Sequence, residues 1–201
     1  MKLYYAPGAC SLSPHIVLEE SGLSYEAIAV ALPEHRLADG TDYRQINPLG
    51  YVPYLVLDDG TGLREGAAIV QYIADQVPAK KLAPPNGTLA RYQVQGWLNF
   101  IATELHKTAS PLFKPDTPEG IQTATRQALQ ARLTWVNAQL QGRNYLMGED
   151  FSVPDAYLFV VTNWTKIGID LAPLTHLTAF RARMAARPAV QAAMKAEGLI
   201  G

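Results

Sequence analysis

Residues 47–75 constrain this chain more than any other stretch, running Asn-Pro-Leu-Gly-Tyr-Val-Pro-Tyr-Leu-Val-Leu-Asp-Asp-Gly before a second apolar segment. The order predicts a turn, a short apolar strand, a tight hairpin, a second strand and a helix. Pro53 stands at the start of a strand, where proline is tolerated and where cis X–Pro bonds occur in tight structures. Tyr54 to Leu57 form the apolar run, and Asp58-Asp59-Gly60 is a hairpin signal. Glu65-Gly66 then opens a helix on which Ile69, Tyr72 and Ile73 recur at helical spacing. The first N–H groups of such a helix lack intrahelical partners and carry partial positive charge. An anionic ligand group therefore suits Gly66, while Glu65 suits an ammonium. A ligand carrying a carboxylate and an amine at one end meets both.

The rest of the chain fits around this stretch. Residues 2–6 read as a strand and residues 7–10 as the loop after it. Ser11 or Ser13 can cap the next helix, Pro14 fits its first turn, and Gly22 stops it. Residues 25–32 alternate weakly as a second strand. Strand, helix, strand implies a parallel pair with a right-handed crossover. Residues 33–46 are polar, with room for one short helix. A proline-rich break at 78–87 reads as a linker. Beyond it the periodicity is helical. Leu89, Tyr92, Trp97, Phe100, Ile101 and Leu105 form one stripe. Thr117 and Pro118 mark a second helix start, and Ser152 with Asp155 a capping box. Final helices are expected over 177–187 and 189–197.

The composition narrows the function classes. A net charge of -1 over 201 residues gives no electrostatic footprint for nucleic acid or for an anionic membrane. No apolar run is long enough to span a bilayer, and the N-terminus lacks the apolar core of a signal peptide. One cysteine excludes an internal disulfide framework and suits a reducing compartment. The four histidines show no close pairing with one another or with Cys10, so no metal site is expected. Cys10 stands just before a predicted helix start, where a thiolate is favoured and the thiol pKa falls. The alternative is a small buried hydrophobe, since free cysteines often serve that purpose. Asn99, Thr103 and His106 fall at i, i+4 and i+7 and line one helix face. Tyr4 and Tyr5 read as packing residues of a strand.

Asn47-Pro48-x-Gly50-x-Val52-Pro53 followed by Leu63-x-Glu65-Gly66-x-Ala68-Ile69 resembles the glutathione-binding segment of cytosolic glutathione transferases. With Cys10 and Thr103-Glu104-Leu105-His106, the chain resembles their bacterial beta class over essentially its whole length. The resemblance implies an α/β thioredoxin-like N-terminal domain followed by an all-α C-terminal domain. The expected boundaries are 1–77 for the glutathione-binding domain, 78–87 for the linker and 88–201 for a helical domain with a hydrophobic acceptor site. It also implies Cys10 and His106 as the catalytic residues, facing the glutathione sulfur. Val52 would offer its backbone to the cysteinyl part, held by Pro53. Glu65 and Gly66 would take the γ-glutamyl end, although serine is usual at the position of Gly66. His35 would reach the glycine carboxylate, and Asn99, Thr103, Glu104, Leu105 and His106 would close the sulfur side. Tyr51 replaces a polar residue at the mouth of the site.

The implied activity joins the glutathione thiol to small hydrophobic electrophiles. Glutathione serves as co-substrate, no cofactor or metal is needed, and the protein is a cytoplasmic homodimer that binds neither nucleic acid nor membrane. With no second cysteine, Cys10 would form a mixed disulfide with glutathione. Three alternatives stay open: thiol–disulfide exchange or peroxidase chemistry using Cys10 covalently, glutathione-dependent isomerisation or dehalogenation, and non-catalytic ligand binding.

Overall fold

A computed structural model of the protein describes residues 1–164 and 168–201. They form two compact units, Met1–Ala83 joined by Arg187–Gly201, and Pro84–Ala186. The division falls inside the proline-rich break.

The first unit is built on a four-stranded sheet in the order β2-β1-β3-β4. Strand β1 (Lys2–Tyr5) runs parallel to β2 (Glu26–Ala29), with Leu3 opposite Ala27. It runs antiparallel to β3 (Tyr54–Val56), which pairs with β4 (Gly62–Leu63) across the hairpin. The parallel pair needs a crossover, and helix α1 (Leu12–Ser21) supplies it. That helix has no polar face: every residue from Leu12 to Leu18 is buried. Helix α2 (Gly66–Gln76) and the last helix, α7 (Pro188–Ala196), both pack on it. Gly22 ends α1 in the left-handed region at φ 72°, where its N–H donates to Leu18 O. Neither serine caps the helix start. Ser11 Oγ is turned back onto Ala6, and Ser13 Oγ is buried without a partner.

The grouping of α7 departs from the expected 88–201 helical domain. Its buried face, Val190 and Ala193, is laid on α1, and its ends are tied there by charge. Arg187 Nε meets Glu20 Oε1 at 2.6 Å, and Glu197 Oε1 meets His15 Nδ1 at 2.8 Å with both side chains sealed from solvent. The other Glu197 oxygen accepts from Gly8 N–H at 2.9 Å.

The second unit is helical: α3 (Leu89–Phe100), α4 (Glu119–Gln139), α5 (Val153–Thr162) and α6 (Thr175–Ala185). Helix α5 is buried along all ten residues and forms the middle of the unit. Asp155 secures its start by accepting from Ser152 N–H and Leu146 N–H, each at 2.8 Å. The expected capping box is therefore present. The expected stripe on α3 is shifted: Leu89 and Tyr92 are 75% and 61% exposed, while Arg91, Val94 and Leu98 are buried. From Ile101 to Lys107 the helix continues with π winding. Thr117 does not cap α4, because its hydroxyl donates to Pro111 O at 2.6 Å and the helix begins one residue after Pro118. Among the described residues no helix is long and apolar enough to cross a membrane.

Candidate functional site

In the sheet unit, the Val52–Pro53 bond is cis and stands just before β3. The carbonyl ahead of Val52 is held twice: Tyr43 Oη and Asn47 Nδ2 both donate to Tyr51 O at 2.8 Å. Asn47 is itself oriented by Arg64, whose Nε donates to Asn47 Oδ1 at 3.2 Å. This bracing leaves the Val52 N–H without a protein acceptor among the described residues. Glu65 precedes α2 at φ 65° and ψ 113°, a region that side-chain-bearing residues rarely adopt. Such outliers cost about 1–3 kcal/mol and gather at ligand clamps. The Glu65 carbonyl accepts from Ala68 and Ile69, so the N–H groups of Gly66 and Ala67 are left without acceptors among the described residues. A Cβ at Gly66 would meet only Pro53 Cγ, at 3.6 Å, so the missing side chain is not excluded sterically.

His35 lies at φ 51° with its ring against Gly50. A Cβ at Gly50 would come within 2.6 Å of His35 Nδ1, and Gly50 itself has φ 67°. Position 50 therefore requires glycine on two counts. His35 Nδ1 is buried and has no hydrogen-bond partner among the described residues. Tyr51 projects outward, 69% exposed. Tyr4 packs on Tyr43 and Tyr54, and Tyr5 on His15, as packing residues do.

Cys10 Sγ donates to Val52 O at 3.3 Å. The expected low thiol pKa is overturned: burial pushes it up to about 12, and the Glu65 charge adds to the rise. The N–H groups of Cys10 and Ser11 pull the other way without compensating. A thiolate here would lose solvent and face the Val52 carbonyl it now donates to, so the proton is retained.

In the helical unit the three residues expected on one face differ in exposure. Asn99 and Thr103 are exposed, with the Thr103 hydroxyl donating to Asn99 O at 3.1 Å. Glu104 is paired with Arg132 of α4 at 2.6 Å, and Leu105 is 3% exposed in the core. His106 is half-buried instead among aromatic rings. Its Nδ1 lies 2.7 Å from Tyr157 Oη on α5, and its ring meets Trp164 edge-on with centroids 4.9 Å apart. Phe113 extends that wall, its ring 5.2 Å from Trp164. Burial, aided by Lys107, lowers the His106 pKa, so the ring is neutral at neutral pH. Tyr157, Trp164 and Arg132 carry no local signature in the sequence, because their partners are distant in the chain.

A four-stranded sheet with α1 and α2, a cis-proline clamp before β3, a helix start with free N–H groups and a separate helical unit define a glutathione transferase fold. Family models for the N-terminal and C-terminal domains of glutathione S-transferase match residues 8–76 and 100–188. The chain is 50% identical to glutathione S-transferase GstA of Escherichia coli O157:H7, covering 99% of this chain and 100% of that protein. A sphingomonad glutathione S-transferase solved in complex with glutathione is 45% identical, covers 100% of both chains and superposes with a TM-score of 0.95. A bacterial beta class glutathione S-transferase from Sphingomonas chungbukensis is 43% identical over 100% of both chains, with a TM-score of 0.96. The chain belongs to the glutathione S-transferase family, in its bacterial beta class.

Proposed function

We propose that this protein is an enzyme that binds glutathione in its sheet unit and joins the glutathione thiol to small hydrophobic electrophiles. The observation that carries the reading is the set of unsatisfied groups around Pro53. The free N–H groups of Gly66 and Ala67 match the γ-glutamyl carboxylate, Glu65 its ammonium, and the Val52 N–H the cysteinyl backbone, as in an added strand. His35 is assigned to the glycine carboxylate. Asn99, Thr103, Glu104 and Leu105 are assigned to the remaining ligand contacts, with the Leu105 side chain itself in the core. His106 is assigned to the sulfur, where an N–H donor stabilises the thiolate of bound glutathione. Lowering a thiol pKa of about 8.5 toward neutrality raises the nucleophile fraction at pH 7. Phe113 and Trp164 offer the electrophile an apolar surface. Cys10 is assigned a place beside the sulfur with its proton committed to Val52 O, and covalent disulfide exchange gains no support from a thiol held protonated. The protein is assigned to the cytoplasm as a homodimer.

Steady-state conjugation of a chloronitrobenzene acceptor tests the reading. Replacing Glu65 with alanine removes the partner of the ammonium, and the glutathione KM is expected to rise about tenfold. Because Glu65 is exposed, a larger effect is not expected. An unchanged KM rejects the assignment, and an inactive wild-type protein that still binds glutathione favours the non-catalytic alternative.

A further inference from the structure

We infer that Tyr157 is a positioning residue that fixes His106 as the neutral tautomer with its proton on Nε2. The inference rests on the reading of His106 as the donor to the glutathione sulfur, and adds what makes it one.

The geometry is confined to the helical unit. Tyr157 Oη lies 2.7 Å from His106 Nδ1, a short contact for an O–H to nitrogen bond. The two rings stand at 89° to each other, with centroids 5.9 Å apart. A phenol is the better donor of the pair and an imidazole nitrogen the better acceptor. The favoured arrangement has the Tyr157 O–H donating to Nδ1, which leaves the ring proton on Nε2. Trp164 packs against the ring at 70°, with centroids 4.9 Å apart. Nε2 makes no hydrogen bond to the described residues and is not sealed from solvent. The free nitrogen is thus an N–H donor. Burial keeps the ring neutral, so this donor supplies a directed dipole rather than a full positive charge. Tyr157 is 6% exposed on the buried helix α5, which holds its hydroxyl in place.

Long-range 15N–1H correlation spectra of the full-length protein, with histidine nitrogens labelled, test this directly. The wild type is expected to show a pyrrole-like Nε2 and a pyridine-like Nδ1 for His106. In Tyr157→Phe the two shifts should converge as the tautomers mix. The conjugation kcat should fall about tenfold while the glutathione KM stays within twofold, the size expected for one hydrogen bond. A proton on Nδ1 in the wild type overturns the inference, even if the variant fails to fold. So does a Tyr157→Phe protein whose His106 shifts and kcat match the wild type. His106→Ala separates the two readings. Undiminished kcat in that variant removes His106 from the chemistry, whereas the wild-type spectrum reports the tautomer independently.

Discussion

The Cys10 thiol lies two residues before α1 begins, yet it holds its proton rather than shedding it. The helix start and two backbone N–H groups favour the thiolate, but desolvation and the Glu65 charge oppose it. Desolvation is the larger effect. A thiol pushed up to about 12 has roughly a thousandfold less thiolate at pH 7 than an ordinary cysteine. Iodoacetamide should therefore alkylate Cys10 of the ligand-free protein at least a hundredfold more slowly than it alkylates an unstructured cysteine peptide. The rate should still be climbing at pH 10, and a plateau below pH 8 would reject the assignment. The same shift bears on stability. The folded state binds this proton more tightly than the unfolded chain does, so its contribution is complete below the ordinary thiol range and is lost as pH rises toward 12. The identity of Cys10 was legible in the sequence; its ionisation was not, because the carbonyl it donates to and the charge that opposes its thiolate belong to Val52 and Glu65, far along the chain. Gly50 is a similar case, readable as a turn glycine but not as the floor beneath the His35 ring.

At the scale of elements, local signals held where the partner lay within one turn. Ser152 and Asp155 announced the start of α5, and the structure completes the pair. Thr117 carried an equally plausible signal and lost its hydroxyl to Pro111. The π-wound segment had no signature of its own, because Ile101, Leu105 and Ala109 are buried at a spacing of four that an α-helix tolerates over two turns. Asp155 offers the clearest test at this scale. Fully buried, it holds the Leu146 loop as well as the helix start. Replacing it with alanine leaves buried donors unsatisfied and should cost about 3 kcal/mol. Removing the Ser152 hydroxyl should cost only about 1 kcal/mol, since the bond from Asp155 to the Ser152 backbone remains. Urea denaturation of both variants checks the ratio. Equal losses would mean that the side-chain cap, rather than the carboxylate bridge, carries the stability.

For the whole molecule, the division near residue 83 was legible from proline content, but the return of the last fifteen residues to the first unit was not. Helix α7 reads like any short amphipathic helix. Its destination is set by Arg187 reaching Glu20 and by Glu197 reaching His15, pairs separated by 167 and 182 residues, which no local pattern encodes. The first unit thus closes only when the chain end arrives, and Glu197 is the residue that joins α7 to both α1 and the loop at Gly8. Removing one member of a buried, hydrogen-bonded pair costs about 3–5 kcal/mol, because the other is left without its partner. Glu197→Ala strips His15 Nδ1 of its carboxylate and Gly8 N–H of the oxygen it donates to. Glu197→Gln keeps an acceptor at the same reach and should lose less. Hydrogen exchange locates the damage: in Glu197→Ala, protection should fall across α1 and the Gly8 loop while α5 keeps its own. Wild-type protection of α1 in that variant would show that the apolar contacts of Val190 and Ala193 hold the chain end without the buried carboxylate.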